Sequence, residues 1–106
     1  MIRQIYSENK TVQTNLCVEV DGVFVYYRLL KHFAYEFTVM IGDDCPCKDA
    51  KKAREIVYQV VQAMVDQSCE HGMRWCPTEI KEDIVDGQYK GYICTVNFRI
   101  ADSEFD

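Results

Sequence analysis

The sequence lacks any apolar run of the roughly 20 residues that a membrane-spanning helix needs. Its first ten residues contain no apolar segment of the secretory type, so we expect a cytoplasmic protein that does not enter a membrane. The chain has 106 residues, of which 48% are hydrophobic and 27% are charged. Because this composition can bury a small core, we expect one folded domain over residues 1–106.

Sequence signatures of enzymes are missing as well. The chain has no glycine-rich phosphate loop, no G-x-S-x-G motif and no H-E-x-x-H motif. These absences argue against nucleotide-dependent enzymes, serine hydrolases of the G-x-S-x-G type and zinc proteases. We therefore expect a protein that is not an enzyme, with no catalytic residues and no cofactor.

An excess of positive charge is also absent. Residues 1–65 contain eight acidic and eight basic residues, whereas residues 66–106 contain nine acidic and four basic ones, which accounts for the net charge of −5. A nucleic-acid-binding domain needs a basic face, so we expect no direct contact with nucleic acid. The acidic part instead suits a basic partner, such as the nucleic-acid groove of another protein. The candidate partner-binding acids are Glu79, Glu82, Asp83 and Asp86.

Among the features that are present, the clearest is the Asp-Gly pair at residues 21–22, which predicts a β-hairpin with a type I′ turn. This turn pairs Val20 with Val23 and Val18 with Val25, so one face of the hairpin is apolar. Because a slip of one residue would exchange the two faces, the pattern supports this register. Residues 35–41 continue the alternation and predict a third strand, which makes the three strands a meander.

Apolar residues at helical spacing predict a long helix over about residues 47–69. Asp44 or Cys45 is its expected N-cap, and Gly72 is its expected C-terminal stop. The apolar stripe is wide enough to lie across the apolar face of the meander.

The segment after the helix is the least readable. Residues 75–77, Trp-Cys-Pro, predict a turn, and residues 78–85 are compatible with a strand or with one helical turn. In residues 92–100, apolar residues at every second position alternate with Ile93, Thr95, Asn97 and Arg99, which predicts a late strand. The expected fold is therefore α+β, an antiparallel β-meander with one long helix packed on it and a late strand completing the sheet.

Two aromatic residues lie on the hairpin face that points away from the predicted core. Phe24 and Tyr26 share this face with Arg28, and Tyr, Phe and Arg are enriched in protein interfaces. Either this face binds a partner, or a second layer built from residues 73–91 covers it. A second copy of the chain can supply a missing layer, so we expect a homo-oligomer, most simply a dimer.

The six cysteines offer alternative chemistry. Without a secretory signal we expect them to be reduced thiols. Cys69, His71 and Cys76 offer three zinc ligands, although their spacing is irregular. Cys45 or Cys47, near the helix N-terminus and several lysines, is an alternative reactive thiol.

Basic residues crowd the first two turns of the predicted helix, where they oppose the helix dipole. They form a solvated face balanced by neighbouring acids or, as an alternative, bind phosphate or another anion together with free backbone N–H groups. These residues are Lys48, Lys51, Lys52 and Arg54.

Size, acidic charge and missing catalytic motifs together favour a non-enzymatic binding protein, most simply an inhibitor that acts by protein–protein interaction. A phage-type counter-defence protein, such as an anti-CRISPR protein in the host cytoplasm, fits this description. A small-molecule or anion-binding oligomeric domain that uses Arg28 and the basic cluster is the alternative. A cysteine-dependent or zinc-binding module is the second alternative.

Overall fold

The computed structural model describes the backbone of residues 2–10, 13–31, 33–70, 72–86 and 90–101, and the side chains of these ranges between residues 16 and 100. Within this part of the chain the fold is α+β, as the sequence predicts. The elements are β1 (Ile2–Lys10), β2 (Gln13–Val20), β3 (Val23–Lys31), β4 (Ala34–Ile41), α1 (Ala50–Glu70), β5 (Arg74–Val85) and β6 (Lys90–Ala101).

The strands form an antiparallel sheet in the order β1-β2-β3-β4-β6-β5. The predicted hairpin register is confirmed, because Val20 pairs with Val23 and Val18 with Val25. Asp21 and Gly22 have φ angles of 51° and 85°, which are the positive values that a type I′ turn requires at both central residues. The meander of β2, β3 and β4 is confirmed too, and β1 extends it by one strand that the sequence did not predict.

The helix begins later than expected and has a different cap. Asp49 Oδ1 accepts a hydrogen bond from the Lys52 backbone N–H at 2.8 Å, so Asp49 is the N-cap, and the prediction of Asp44 or Cys45 is wrong. At the other end, Gly72 has a φ of 79° and donates its N–H to the Cys69 carbonyl, while Met73 donates to the Ser68 carbonyl. This pair of bonds is a Schellman motif and confirms Gly72 as the stop.

The apolar stripe of α1 packs against one face of the sheet and forms the core. Each large apolar side chain that this packing removes from water contributes about 1.5–3 kcal/mol. The buried helix residues are Ala53, Ile56, Val57, Val60 and Val61, and the sheet residues that form the core with them include Val25, Phe37, Val39, Tyr92, Cys94 and Val96.

The structure corrects the prediction for the segment after the helix. Residues 75–77 are not a turn but part of β5, a strand of 12 residues that pairs with β6 along its whole length. Trp75 is held there because its ring packs against the rings of Phe33, Tyr35 and Phe98. Pro77 is tolerated because β5 is an edge strand, where a missing N–H costs no ladder hydrogen bond on the outer side.

The late strand is confirmed as β6, but it does not lie at an edge. It pairs with β4 on one side and with β5 on the other. Of the two alternatives for residues 78–85, the structure selects the strand. Thr78 is an extra residue between Pro77 and Glu79, where the register shifts at a bulge.

Candidate binding surface

The sheet has one covered and one uncovered face. Helix α1 packs on the core face, and no helix or strand of the described ranges lies on the other one, which we call the open face. Because side chains alternate along each strand, the residues between the core positions point to the open face. The open face therefore presents side chains from at least four neighbouring strands.

Two cross-strand rows on the open face follow directly from the pairing. One row runs through Tyr26, Thr38, Ile93 and Asp83, in the order β3, β4, β6, β5. The next row runs through Arg28, Glu36, Thr95 and Lys81. The open face thus changes along the strands from an apolar and aromatic end to a charged end.

The apolar end carries a cluster of large side chains without cover, which we call the apolar patch: Phe24, Tyr26, Met40, Val85 and Ile93. Phe24 is 43% exposed and Tyr26 is 49% exposed. A depression of about 90 Å³ lies beside these two rings and is closed by Met40, Cys45 and Pro46. Contiguous apolar side chains of this kind on a solvent-exposed face are typical of a docking site.

Gly91 makes the middle of the apolar patch hollow. It lies between Met40 of β4 and Val85 of β5, and it has no side chain to fill the row. A Cβ atom built at Gly91 would have no heavy atom within 4 Å. The patch therefore has a gap in its row of side chains between Met40 and Val85, which we call the groove at Gly91.

At the charged end of the open face, side chains form opposite-sign pairs. Arg28 Nε donates to Glu36 Oε1 at 3.0 Å, and Lys81 Nζ lies 3.3 Å from Glu79 Oε1. Exposed ion pairs of this kind add little to folding stability, about 0–1 kcal/mol each. Protein interfaces usually combine an apolar core with polar residues beside it, and the open face offers both kinds of surface next to each other.

The four predicted partner-binding acids do not form one surface. Glu79 and Asp83 lie on the open face, whereas the side chain of Glu82 points to the face of the sheet that α1 covers. Asp86 lies just beyond the end of β5 and forms an ion pair of 3.7 Å with Lys90. Only Glu79 and Asp83 therefore share a face with the predicted aromatic and basic residues Phe24, Tyr26 and Arg28.

Glu82 instead joins three elements on the helix side. Its Oε2 accepts hydrogen bonds from Arg54 Nε of α1 at 2.7 Å and from the Tyr92 hydroxyl of β6 at 2.9 Å. Partial burial opposes ionisation of Glu82, but the two donors outweigh it and lower the pKa of the carboxyl. Burial and the hydrogen bond to Glu82 raise the pKa of Tyr92 well above its ordinary value, so this phenol stays protonated.

The predicted anion-binding cluster is partly occupied by contacts within the chain. Lys48 Nζ donates to the Asp43 carbonyl, and Arg54 is paired with Glu82. The carboxylate of Asp49 already caps the helix N-terminus. Lys51 and Lys52 are exposed on the first turn.

The cysteines do not gather into a metal centre among the described residues, where no three His, Cys, Asp or Glu side chains converge. Cys69 is exposed at the end of α1 and Cys76 is half-buried in β5, while His71 lies outside the described residues. Cys47 is buried and its thiol donates to the Asp49 carbonyl at 3.4 Å. Burial raises the pKa of the Cys47 thiol, which opposes the reactive thiolate considered above.

A second cavity, of about 330 Å³, lies between the C-terminal half of α1 and the sheet. Its lining is almost entirely apolar and aromatic: Leu16, Tyr27, Tyr35, Met64, Met73 and Trp75, with Gln67 and Ser68. The indole N–H of Trp75 is buried and has no hydrogen-bond acceptor among the described residues. This cavity is at the lower end of the size range of small-molecule sites, about 300–1,000 Å³.

Comparisons with protein-family models, with curated proteins and with solved structures find no match for this chain. Helix α1, the helix of the described ranges, does not combine the length and the apolar character that crossing a membrane requires. The site therefore has to be interpreted from its own geometry. Sequence reasoning missed Met40, Val85, Ile93 and Gly91, although the alternation of the third and last predicted strands already placed Met40 and Ile93 opposite the core.

Proposed function

We propose that this protein is a non-enzymatic binding protein and that it acts by docking its open sheet face onto another protein. The apolar patch around Gly91 is the observation that carries this proposal, because it exposes large side chains that folding alone gives no reason to expose. The charged end of the open face supports it further, since specific interfaces combine apolar and charged surface.

The partner is expected to be basic and to present an apolar side chain to the groove at Gly91. The net charge of −5 favours this charge sign, Asp83 supplies an acidic group beside the patch, and Glu79 supplies another at the charged end of the open face. An inhibitor that occupies the nucleic-acid groove of another protein fits this chemistry. The narrower proposal is a cytoplasmic phage-type counter-defence protein, such as an anti-CRISPR protein, supported by the small size and acidic charge of the chain.

The decisive test fills the groove without disturbing the fold. Gly91→Arg places a long side chain where a Cβ meets nothing, and the backbone there has no positive φ. We expect the variant to keep its melting temperature and to lose the partner that the parent protein captures by affinity pull-down. Gln59→Arg, which adds the same charge on the exposed side of α1, is the control and is expected to retain the partner.

The outcome separates the general proposal from the narrower one. A partner captured equally by the parent protein and by Gly91→Arg would exclude the open face as the docking site. The narrower proposal requires that the parent protein, but not Gly91→Arg, blocks CRISPR interference against a plasmid in cells. Undiminished interference with the parent protein would exclude the anti-CRISPR function of the systems tested.

The cavity beside Trp75 supports a second candidate function, binding of a small apolar molecule. Its aromatic and methionine lining suits a flat hydrophobic ligand, and the buried indole N–H of the lining residue Trp75 has no acceptor among the described residues. Fluorescence of anilinonaphthalene sulfonate tests this candidate. Enhanced fluorescence that Met64→Trp abolishes by filling the cavity would support it, and no enhancement with the parent protein would exclude it.

We also propose the homodimer that the sequence leads us to expect. Because the heterologous partner occupies the open face, a second copy of the chain has to use another surface. The outer edge of β5 is the surface that the structure offers for it.

A further inference from the structure

The outer edge of β5 is long and carries exposed apolar side chains. The strand has 12 residues, and no described strand pairs with it on the side away from β6. Ile80, Ile84 and Val85 are each at least 40% exposed. A long edge with open backbone N–H and C=O groups and apolar side chains invites pairing with another strand.

Two-fold symmetry restricts how β5 can pair with itself. In an antiparallel pair related by a two-fold axis, one residue must lie opposite the same residue of the second copy. Centring the pair on Glu79, Lys81, Glu82 or Asp83 places each of these charged residues against itself, which is unfavourable. Centring it on Ile84 places Glu82 opposite Asp86, again with like charges.

Only centring on Ile80 avoids this repulsion within residues 79–84. Ile80 then meets Ile80 of the second copy, and Glu79 lies opposite Lys81 in both directions. Within one chain, Lys81 Nζ already lies 3.3 Å from Glu79 Oε1, and Asn97 Nδ2 donates to Glu79 Oε2 at 3.4 Å. The pairing would therefore close a cluster of four alternating charges on the open face, with the two isoleucines in contact on the helix side.

We infer that the chain dimerises through β5, in an antiparallel register centred on Ile80, so that two sheets form one continuous sheet. This inference deepens the proposed homodimer and names its surface. In this register residues 82–85 of one copy lie opposite residues 78–75 of the other, so the bulge at Thr78 interrupts the ladder on both sides of the central residues 79–81. The apolar patch around Gly91 stays free for a heterologous partner in this arrangement.

A charge exchange tests the register. Sedimentation equilibrium of the parent protein is expected to show a mass of twice 12.4 kDa. Lys81→Glu converts two attractive pairs into two repulsive ones and is expected to raise the dimer dissociation constant about 5- to 100-fold. The double variant Glu79→Lys with Lys81→Glu restores opposite charges and is expected to return the dissociation constant to within about threefold of the parent value. Lys51→Glu, an identical charge change on exposed α1, is the control and is expected to leave it unchanged.

A second variant keeps the inference testable if the charge variants fold poorly. Ile80→Cys places two thiols opposite each other at a Cα separation compatible with a disulfide, and oxidation is expected to give a covalent dimer. The parent protein, with its six native cysteines, and Gln59→Cys are oxidised in parallel as controls. A monomeric parent protein, a dimer that Lys81→Glu leaves intact, or a double variant without rescue would each overturn the inference. None of these results affects the outcome of the pull-down with Gly91→Arg, so the proposed dimer and the proposed docking face are tested independently.

Discussion

The carboxylate of Glu82 links strand β5, helix α1 and strand β6, and removing one of its donors is expected to weaken the whole domain. Tyr92→Phe deletes only the hydroxyl that donates to Glu82 at 2.9 Å, and the ring of Tyr92 is 1% exposed, so the phenylalanine fills the same space. A hydrogen bond to a charged acceptor contributes about 1.5–3 kcal/mol. Glu82 keeps its hydrogen bond with Arg54 and part of its contact with solvent. We therefore expect the free energy of unfolding to fall by about 1–2 kcal/mol at pH 7, seen as a drop in melting temperature of roughly 5–10 °C.

The pH dependence of this loss identifies the carboxylate as its cause. The pKa of Glu82 is lower in the folded protein than its ordinary value, so its contribution to stability is present above the ordinary carboxyl pKa and is lost as the pH falls through the folded value. The difference between the parent protein and Tyr92→Phe in urea unfolding should therefore shrink on acidification below about pH 4. Tyr26→Phe, on an exposed ring, should cost nothing at either pH. An equal loss at pH 7 and at pH 3 would refute the assignment to Glu82.

Three further predictions concern the helix and its ends. Asp49→Ala should cost about 1 kcal/mol in urea unfolding through loss of the N-cap, whereas Asp44→Ala should cost almost nothing, and the reverse order would contradict the cap assignment. Ile56→Ala, at a position 1% exposed, should cost about 2–5 kcal/mol by the same measurement, and a loss below 1 kcal/mol would contradict its burial. Gly72→Ala should lower the melting temperature by roughly 4–8 °C because its φ of 79° suits glycine, and an unchanged melting temperature would argue against the Schellman motif.

Local rules were sufficient for the meander and the helix. The Asp-Gly pair at residues 21–22 sets the hairpin register, because only φ-positive residues fit its turn. The helix follows from apolar residues that recur at the spacing of the helical period. Its N-cap was misassigned because Asp44, Cys45 and Asp49 all precede the apolar stripe. Only the backbone geometry decides which of these side chains reaches the first free N–H groups of the helix.

The first residues of strand β5 were mispredicted, and residues 78–85 were left with two alternatives, because the signal for this strand lies in other parts of the chain. Pro77 and Trp75 indicate a turn when they are considered alone, but the strand is held by β6 and by rings contributed from residues 33, 35 and 98. The same error hid half of the candidate site. Phe24 and Tyr26 were recognised from the hairpin alone. The contribution of Val85 and of the groove at Gly91 to the patch depends on the pairing of β5 with β6.

The order of the strands has a consequence for how the protein folds. Strand β6 is the last strand of the sheet in sequence but lies between β4 and β5, and β5 pairs with no other described strand. During synthesis the edge of β4 therefore remains unpaired until residues 90–101 have left the ribosome. Pairings between residues 34–41 and residues 90–97 span 49 to 63 positions, so closing this loop is the entropically costly step and folding is expected to be slow for a chain of this size. A nascent chain that stalls before residue 90 presents β4 as an open template, and that is the stage at which aggregation is most expected.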